Sequence, residues 1–129
     1  MKNILAVFFV ILFLSGCYYD NLEELHPGAA VCDTTGVISF SADILPIMIH
    51  SCGAQDMACH NTDQSAGGYG LGTYTDVMNT ITTSGTFLTS ITHDPSIASS
   101  KWMPKNAAKI DDCSIQKIEA WLNRGSLNN

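Results

Sequence analysis

The residues of this chain with the clearest chemical potential lie together in one stretch, Cys52-Gly53-Ala54-Gln55-Asp56-Met57-Ala58-Cys59-His60. Two cysteine thiols can bond to the vinyl groups of a porphyrin, and a histidine directly after the second cysteine can bind the iron from one face. The adjacency of Cys59 and His60 would hold the imidazole beneath the ring to which the cysteine is tethered. The stretch therefore indicates the chemistry of covalent haem attachment.

The same residues have a simpler interpretation, because a Cys-His pair also occurs by chance. His60 is then a surface loop residue beside a Cys52–Cys59 disulfide. For the other two cysteines, Cys32 and Cys113, metal ligation is a weaker alternative than a disulfide, since zinc sites use paired cysteine spacings that this sequence lacks. The glycines at 67, 68, 70 and 72 do not form a dinucleotide-binding fingerprint either.

Four short helices are expected to position these residues, and no segment shows the alternation of a strand, so the predicted fold class is all-α. Asp43 is predicted to cap a first helix that ends near Ser51, and Thr73 to cap a second that ends by Gly85. Phe87, Leu88 and Ile91 suggest a short third helix. Asp111 or Asp112 begins the last one, which buries Ile115, Ile118 and Leu122 and ends before Gly125. Residues 53–72 and 93–110 are predicted to be loops.

The order of these features resembles the small monohaem c-type cytochrome domains of bacterial lipoproteins and secreted proteins, over roughly residues 37–125. Five segments carry the resemblance: Phe40-Ser41-Ala42-Asp43-Ile44-Leu45-Pro46-Ile47, the Cys-His pair, the stretch Ala66-Gly67-Gly68 leading to Leu71 and a Thr-Tyr that opens a helix, Met103-Pro104 in a late loop, and a closing helix from Ile115 to Gly125. The resemblance implies a cytochrome c-like domain of three to five short helices around one haem c. It also implies that Cys52 and Cys59 attach the haem, that His60 is the proximal iron ligand and that Met103 is the distal one.

The spacing of the haem cysteines departs from that family. Its members usually have two residues between them, whereas this chain has six. Extra loop residues cost on the order of 1 kcal/mol in chain entropy, so geometry does not forbid attachment. Cys59-His60 keeps its local arrangement whatever the loop length, and a single thioether through Cys59 is therefore the alternative.

The N-terminus has the pattern of a lipoprotein signal peptide over residues 1–16. Lys2 precedes eleven apolar residues, too few to cross a bilayer, and Leu14-Ser15-Gly16-Cys17 resembles a lipobox. An uncleaved membrane anchor fits this length and these flanks poorly. Cys17 is thus the predicted lipidation site, residues 17–36 a tether, and residues 37–129 the cytochrome c-like domain. An outer-membrane location is favoured over the inner membrane, because Tyr18 provides no acidic retention signal.

Export places the other four cysteines in an oxidising compartment, where unpaired thiols tend to be used covalently. Cys32 and Cys113 remain once the haem pair is assigned, and they are predicted to form a disulfide across 80 intervening residues. The net charge is −6, and it becomes −7 when Lys2 is removed with the signal peptide. This balance excludes a nucleic-acid partner, which would need a basic surface.

With both axial positions of the iron filled, the expected function is electron transfer to other redox proteins of the cell envelope, without an enzymatic activity. The alternative is a haem-free lipoprotein, braced by Cys52–Cys59 and Cys32–Cys113 disulfides, that acts as a binding or assembly subunit. A third possibility is a haem sensor whose iron has only five ligands.

Overall fold

The computed structural model describes residues 32–54, 59–61 and 66–129. A π-helical turn, Phe40–Ile44, leads directly into helix α1 (Leu45–Cys52). It is followed by α2 (Tyr74–Ser84), α3 (Phe87–Ile91) and α4 (Asp112–Asn123), and the loops between them contain 3₁₀ turns at Ala66–Gly68 and Ser99–Lys101. No strand occurs in these described ranges, which confirms the all-α prediction.

The first helical segment begins earlier than its sequence predicted. Ser39, not Asp43, is the N-cap: its hydroxyl accepts a hydrogen bond from the N–H of Ala42 at 3.3 Å. The carboxylate of Asp43 reaches back to accept from the N–H of Ser39 at 3.0 Å. The two side chains thus accept from two otherwise free backbone donors, the N–H groups of Ala42 and Ser39, in the manner of a capping box. The prediction that Asp43 is the cap was therefore wrong, because this residue already lies inside the first turn.

The caps of α2 and α4 lie where the sequence placed them. The hydroxyl of Thr73 accepts from the N–H of Asp76 at 3.2 Å, and α2 ends at Gly85, whose φ of +64° suits a residue without a Cβ. The carboxylate of Asp111 accepts from the N–H of Ser114 at 2.9 Å. Gly125, just beyond α4, has a φ of +93°. Local sequence chemistry therefore fixed the ends of both helices.

The centre of the core is an aromatic trio that joins three elements. Phe40 of the π-helical turn lies 5.3 Å from Tyr74 of α2 and 5.8 Å from Trp121 of α4, measured between ring centroids. The indole N–H of Trp121 donates to the carbonyl of Leu127, so its polar edge is paired as well. Around the trio lie fully buried aliphatic side chains, namely Ile44, Met48, Val77 and Ile118.

The segment before the first helix is fastened to α4. Cys32 and Cys113 form a disulfide with their Cα atoms 5.1 Å apart, so the structure brings together the pair predicted to bond. The guanidinium of Arg124 donates to the carbonyls of Thr34 and Gly36. Residues 32–36 belong to the segment that the sequence assigned to the tether, and here they lie against the last helix.

The proposed signal peptide, the lipidation site Cys17 and the tether up to residue 31 lie outside the described residues. Within the described part, no helix combines the length and the apolar character that crossing a membrane would require.

Candidate functional site

The imidazole of His60 is held by one backbone acceptor. Its Nδ1 lies 2.7 Å from the carbonyl oxygen of Tyr69. A carbonyl can only accept, so Nδ1 carries the proton, and in the neutral ring the lone pair is then on Nε2. Metal-bound histidines commonly have this arrangement, in which a backbone carbonyl fixes the tautomer and the direction of the ring. His60 therefore presents Nε2 as a candidate metal-binding atom.

The stretch around His60 is tied to α2 through the backbone. The N–H of Leu71 donates to the carbonyl of His60 at 2.8 Å, and the hydroxyl of Thr80 donates to the carbonyl of Gly70 at 2.7 Å. Leu71 and Thr80 are both buried. The position of His60 is thus set by a buried part of the fold, although His60 itself is in a loop.

The two remaining cysteines differ in environment. Cys52 is the last residue of α1 and is partly buried against the core, whereas Cys59 is exposed. Both are free thiols. Burial, and to a smaller extent the charge of Cys59, raises the pKa of the Cys52 thiol from its ordinary 9.0 to about 11. Cys52 is therefore a protonated thiol at neutral pH, and Cys59 is the more accessible of the two.

Met103 lies on the other candidate segment, in the loop between α3 and α4. Its side chain is partly buried against the core cluster. Its N–H donates to the carbonyl of Ser90 in α3 at 3.0 Å, and its carbonyl accepts from Nε2 of His93 at 3.1 Å. The two peptide groups of Met103 are therefore both held by residues that lie in or just after α3.

Comparison of the chain with known protein families, with curated proteins and with solved structures finds no match.

The residues present fit a covalent haem by their chemistry. An imidazole whose Nδ1–H is bonded to a backbone carbonyl and a methionine thioether are donors that haem iron accepts. The free thiols of Cys52 and Cys59 are the groups that thioether attachment requires. No group of three or more His, Cys, Asp or Glu side chains arranged to hold a metal ion occurs within the described ranges.

A groove of about 370 Å³ lies elsewhere, between the segment that follows Cys32 and the end of α4. It is lined by Thr35, Gly36, Val37, Ile38, Trp121, Arg124 and Leu127. None of the four candidate haem residues is in this lining, so the groove is separate from the candidate site.

Sequence reasoning missed the groups that position the two candidate ligands. Tyr69 acts through its backbone carbonyl, which leaves no signal in residue type. His93 has no partner at a diagnostic spacing in the sequence, yet its ring is stacked on Trp102 and bonded to the backbone of Met103. These contacts depend on how the loops fold back, and no spacing rule predicts them.

Proposed function

We propose that this chain is a membrane-tethered electron-transfer protein with a cytochrome c-like domain that binds one covalent haem between His60 and Met103. The observation that carries the proposal is the hydrogen bond from Nδ1 of His60 to the carbonyl of Tyr69. It directs the lone pair of Nε2 away from that bond, and it occurs at the histidine that follows an exposed free cysteine.

Four residues would hold the haem. The thiols of Cys59 and Cys52 would add across the vinyl double bonds, so that each S–H forms a C–S bond and its hydrogen passes to the neighbouring carbon. No oxidant is needed for this addition. His60 and Met103 would fill the two axial positions. The burial that keeps Cys52 protonated makes it the slower of the two thiols to react.

When bound, the haem would supply a one-electron couple at an iron with no open coordination position. The thioether of Met103 is a soft ligand that favours the reduced state, and its partial burial against the core limits the access of water. The role of the polypeptide is then to hold both ligands in place while electrons pass to and from other envelope redox proteins. This is the role of a carrier, without a substrate that is chemically converted.

The membrane tether is proposed from the sequence, through lipid on Cys17 after removal of residues 1–16. A tethered carrier searches a surface for its partners, which raises their effective concentration. An outer-membrane location remains the favoured proposal.

The test is the purified mature chain, produced in a host with cytochrome maturation. We expect an intact mass that includes one haem and a Soret absorption band. Cys59→Ser should abolish attachment. Cys52→Ser is the matched variant: retention of covalent haem would reveal a single thioether. A wild-type mass without haem, and no Soret band, would refute the cytochrome proposal and favour the haem-free alternative.

Met103→Ala tests the axial pair. We expect loss of the low-spin spectrum of thioether ligation and a lower reduction potential, because the ligand that stabilises Fe(II) is gone. The partly buried Met78 of α2 provides a control, and Met78→Leu should leave both properties unchanged. An unchanged spectrum in Met103→Ala would favour the five-coordinate sensor.

A further inference from the structure

Three hydrogen bonds connect the loop that carries Met103 to the segment that ends α3. Two involve Met103 itself, to Ser90 and His93, as described above. The third runs from the indole N–H of Trp102 to the carbonyl of Asp94, at 3.1 Å. The residues 102–103 are thus fastened at three points to residues 90–94. A loop with this many cross-links is held more firmly than its irregular backbone would suggest.

The side chain of His93 makes one of these three bonds and a ring contact as well. Its ring stacks on that of Trp102, with the centroids 4.9 Å apart and the planes inclined by 8°. Its Nε2 faces the carbonyl of Met103, which can only accept, so Nε2 carries a proton. That nitrogen therefore cannot bind iron while this bond exists.

The backbone of His93 is unusual as well. Its φ is +54°, in the left-handed region that residues with a Cβ seldom adopt. Two backbone hydrogen bonds at the end of α3 account for it: the N–H of His93 donates to the carbonyl of Ser90 at 3.4 Å, and the N–H of Asp94 donates to the carbonyl of Thr89 at 3.0 Å. These are the two bonds of a Schellman C-cap, so the end of the helix sets the backbone of His93, and the side chain is free to make its contacts with residues 102–103.

We infer that His93 is a positioning residue that orients Met103 as the distal ligand, through Nε2–H donation to the Met103 carbonyl and stacking on Trp102. This inference rests on the proposed function. A methionine side chain has three rotatable bonds, so its thioether stays near one place only if its own backbone is fixed. The bond from His93 fixes the peptide group on the C-terminal side of Met103, and the bond to Ser90 fixes the one on the N-terminal side.

The experiment uses the haem-loaded protein and imidazole as a probe that competes with Met103 for the iron. Loss of one backbone-anchoring hydrogen bond should make Met103 easier to displace, so His93→Ala should bind imidazole about 5- to 10-fold more tightly than the wild type. The far-red absorption of a thioether bound to ferric iron should weaken in parallel. His93→Gln retains an N–H donor and should recover most of the wild-type affinity.

Two further variants separate the alternatives. His93→Gly relieves the left-handed backbone but removes the imidazole, and it should behave like the Ala variant. His50→Ala removes an exposed histidine at the end of α1 and should leave imidazole affinity unchanged. If the Ala and Gly variants fail to fold, His93→Phe decides, because it keeps a ring to stack on Trp102 and removes only the donor to Met103. It should bind imidazole more tightly than the wild type, and wild-type affinity would overturn the inference.

These measurements distinguish a failure of the His93 inference from a failure of the haem proposal. Haem in every variant, with imidazole affinities that agree within about twofold, would overturn the role of His93 and leave the haem proposal standing. A Gly variant with wild-type affinity would overturn it too, because backbone conformation alone would then suffice. Wild-type protein without haem would overturn both.

Discussion

Removal of the Cys32–Cys113 disulfide should destabilise the domain strongly. The two cysteines are 81 positions apart, and closing a loop of that length lowers the entropy of the unfolded chain by an amount worth about 4.5 kcal/mol at 25 °C. We expect the free energy of unfolding of the Cys32→Ser/Cys113→Ser variant to be lower than that of the wild type by about this amount. With a urea m value near the low end for small domains, about 1.2 kcal/mol/M, the midpoint should fall by about 3 to 4 M.

The native state should change far less than the stability. Arg124 donates to the carbonyls of Thr34 and Gly36, so the segment after Cys32 remains fastened to α4 when the sulfurs are gone. The urea midpoint of the variant should therefore fall, while the amide NMR spectrum of its folded state should stay close to that of the wild type. Arg124→Ala alone is the control, because it breaks the non-covalent fastening and keeps the covalent one. A loss below about 1 kcal/mol in the double variant would refute the chain-entropy reasoning.

Two other predictions concern protonation. At a pKa of about 11, Cys52 should have roughly 100-fold less thiolate near neutral pH than an ordinary thiol, and its alkylation in haem-free protein should accelerate about tenfold per pH unit up to that pKa. Mass spectrometry of a Cys59→Ser variant measures this directly, and a pH-independent rate would contradict it. Asp111→Ala should cost about 1 kcal/mol at neutral pH, whereas Asp111→Asn, which keeps an acceptor, should cost little. Hydrogen bonds from the side chain and then the N–H of Ser114 lower the pKa of Asp111 below its ordinary 3.8. The part of its stabilisation that depends on the negative charge is therefore present above that pH and is lost as the pH falls through the lowered value. Chemical unfolding at neutral and at acid pH should show a smaller free-energy difference between the wild type and Asp111→Ala in acid, and a difference that grows as the pH falls would contradict this.

The helices could be predicted wherever their signals are local. Thr73 and Asp111 cap helices through bonds to residues three positions away, and Gly85 ends α2 by its own conformational freedom. The start of the first helical segment was misjudged because part of its support comes from the far end of the chain. The carbonyl of Asn129 accepts a hydrogen bond from the N–H of Ser41 at 2.9 Å, and no local sequence pattern predicts that contact.

The same division applies to the candidate site. Cys59 and His60 are adjacent in the sequence, so their joint chemistry is visible without a structure. The groups that contact the candidate ligands are not visible, because Tyr69 acts through a main-chain atom and the imidazole of His93 meets the backbone of Met103 only after the loop folds back. Residue types in a sequence indicate which side chains could be ligands. The hydrogen-bond partners that orient those side chains depend on the tertiary fold.

The disulfide also has a mechanical consequence. Cys32 and Cys113 close a covalent ring, and Cys52, Cys59, His60 and Met103 all lie inside it. Tension between the chain ahead of Cys32 and the chain after Cys113 passes through the two sulfurs and bypasses the ring. A force applied through the N-terminal segment to α4 would therefore be carried by the disulfide and would not extend the loops that contain the candidate ligands.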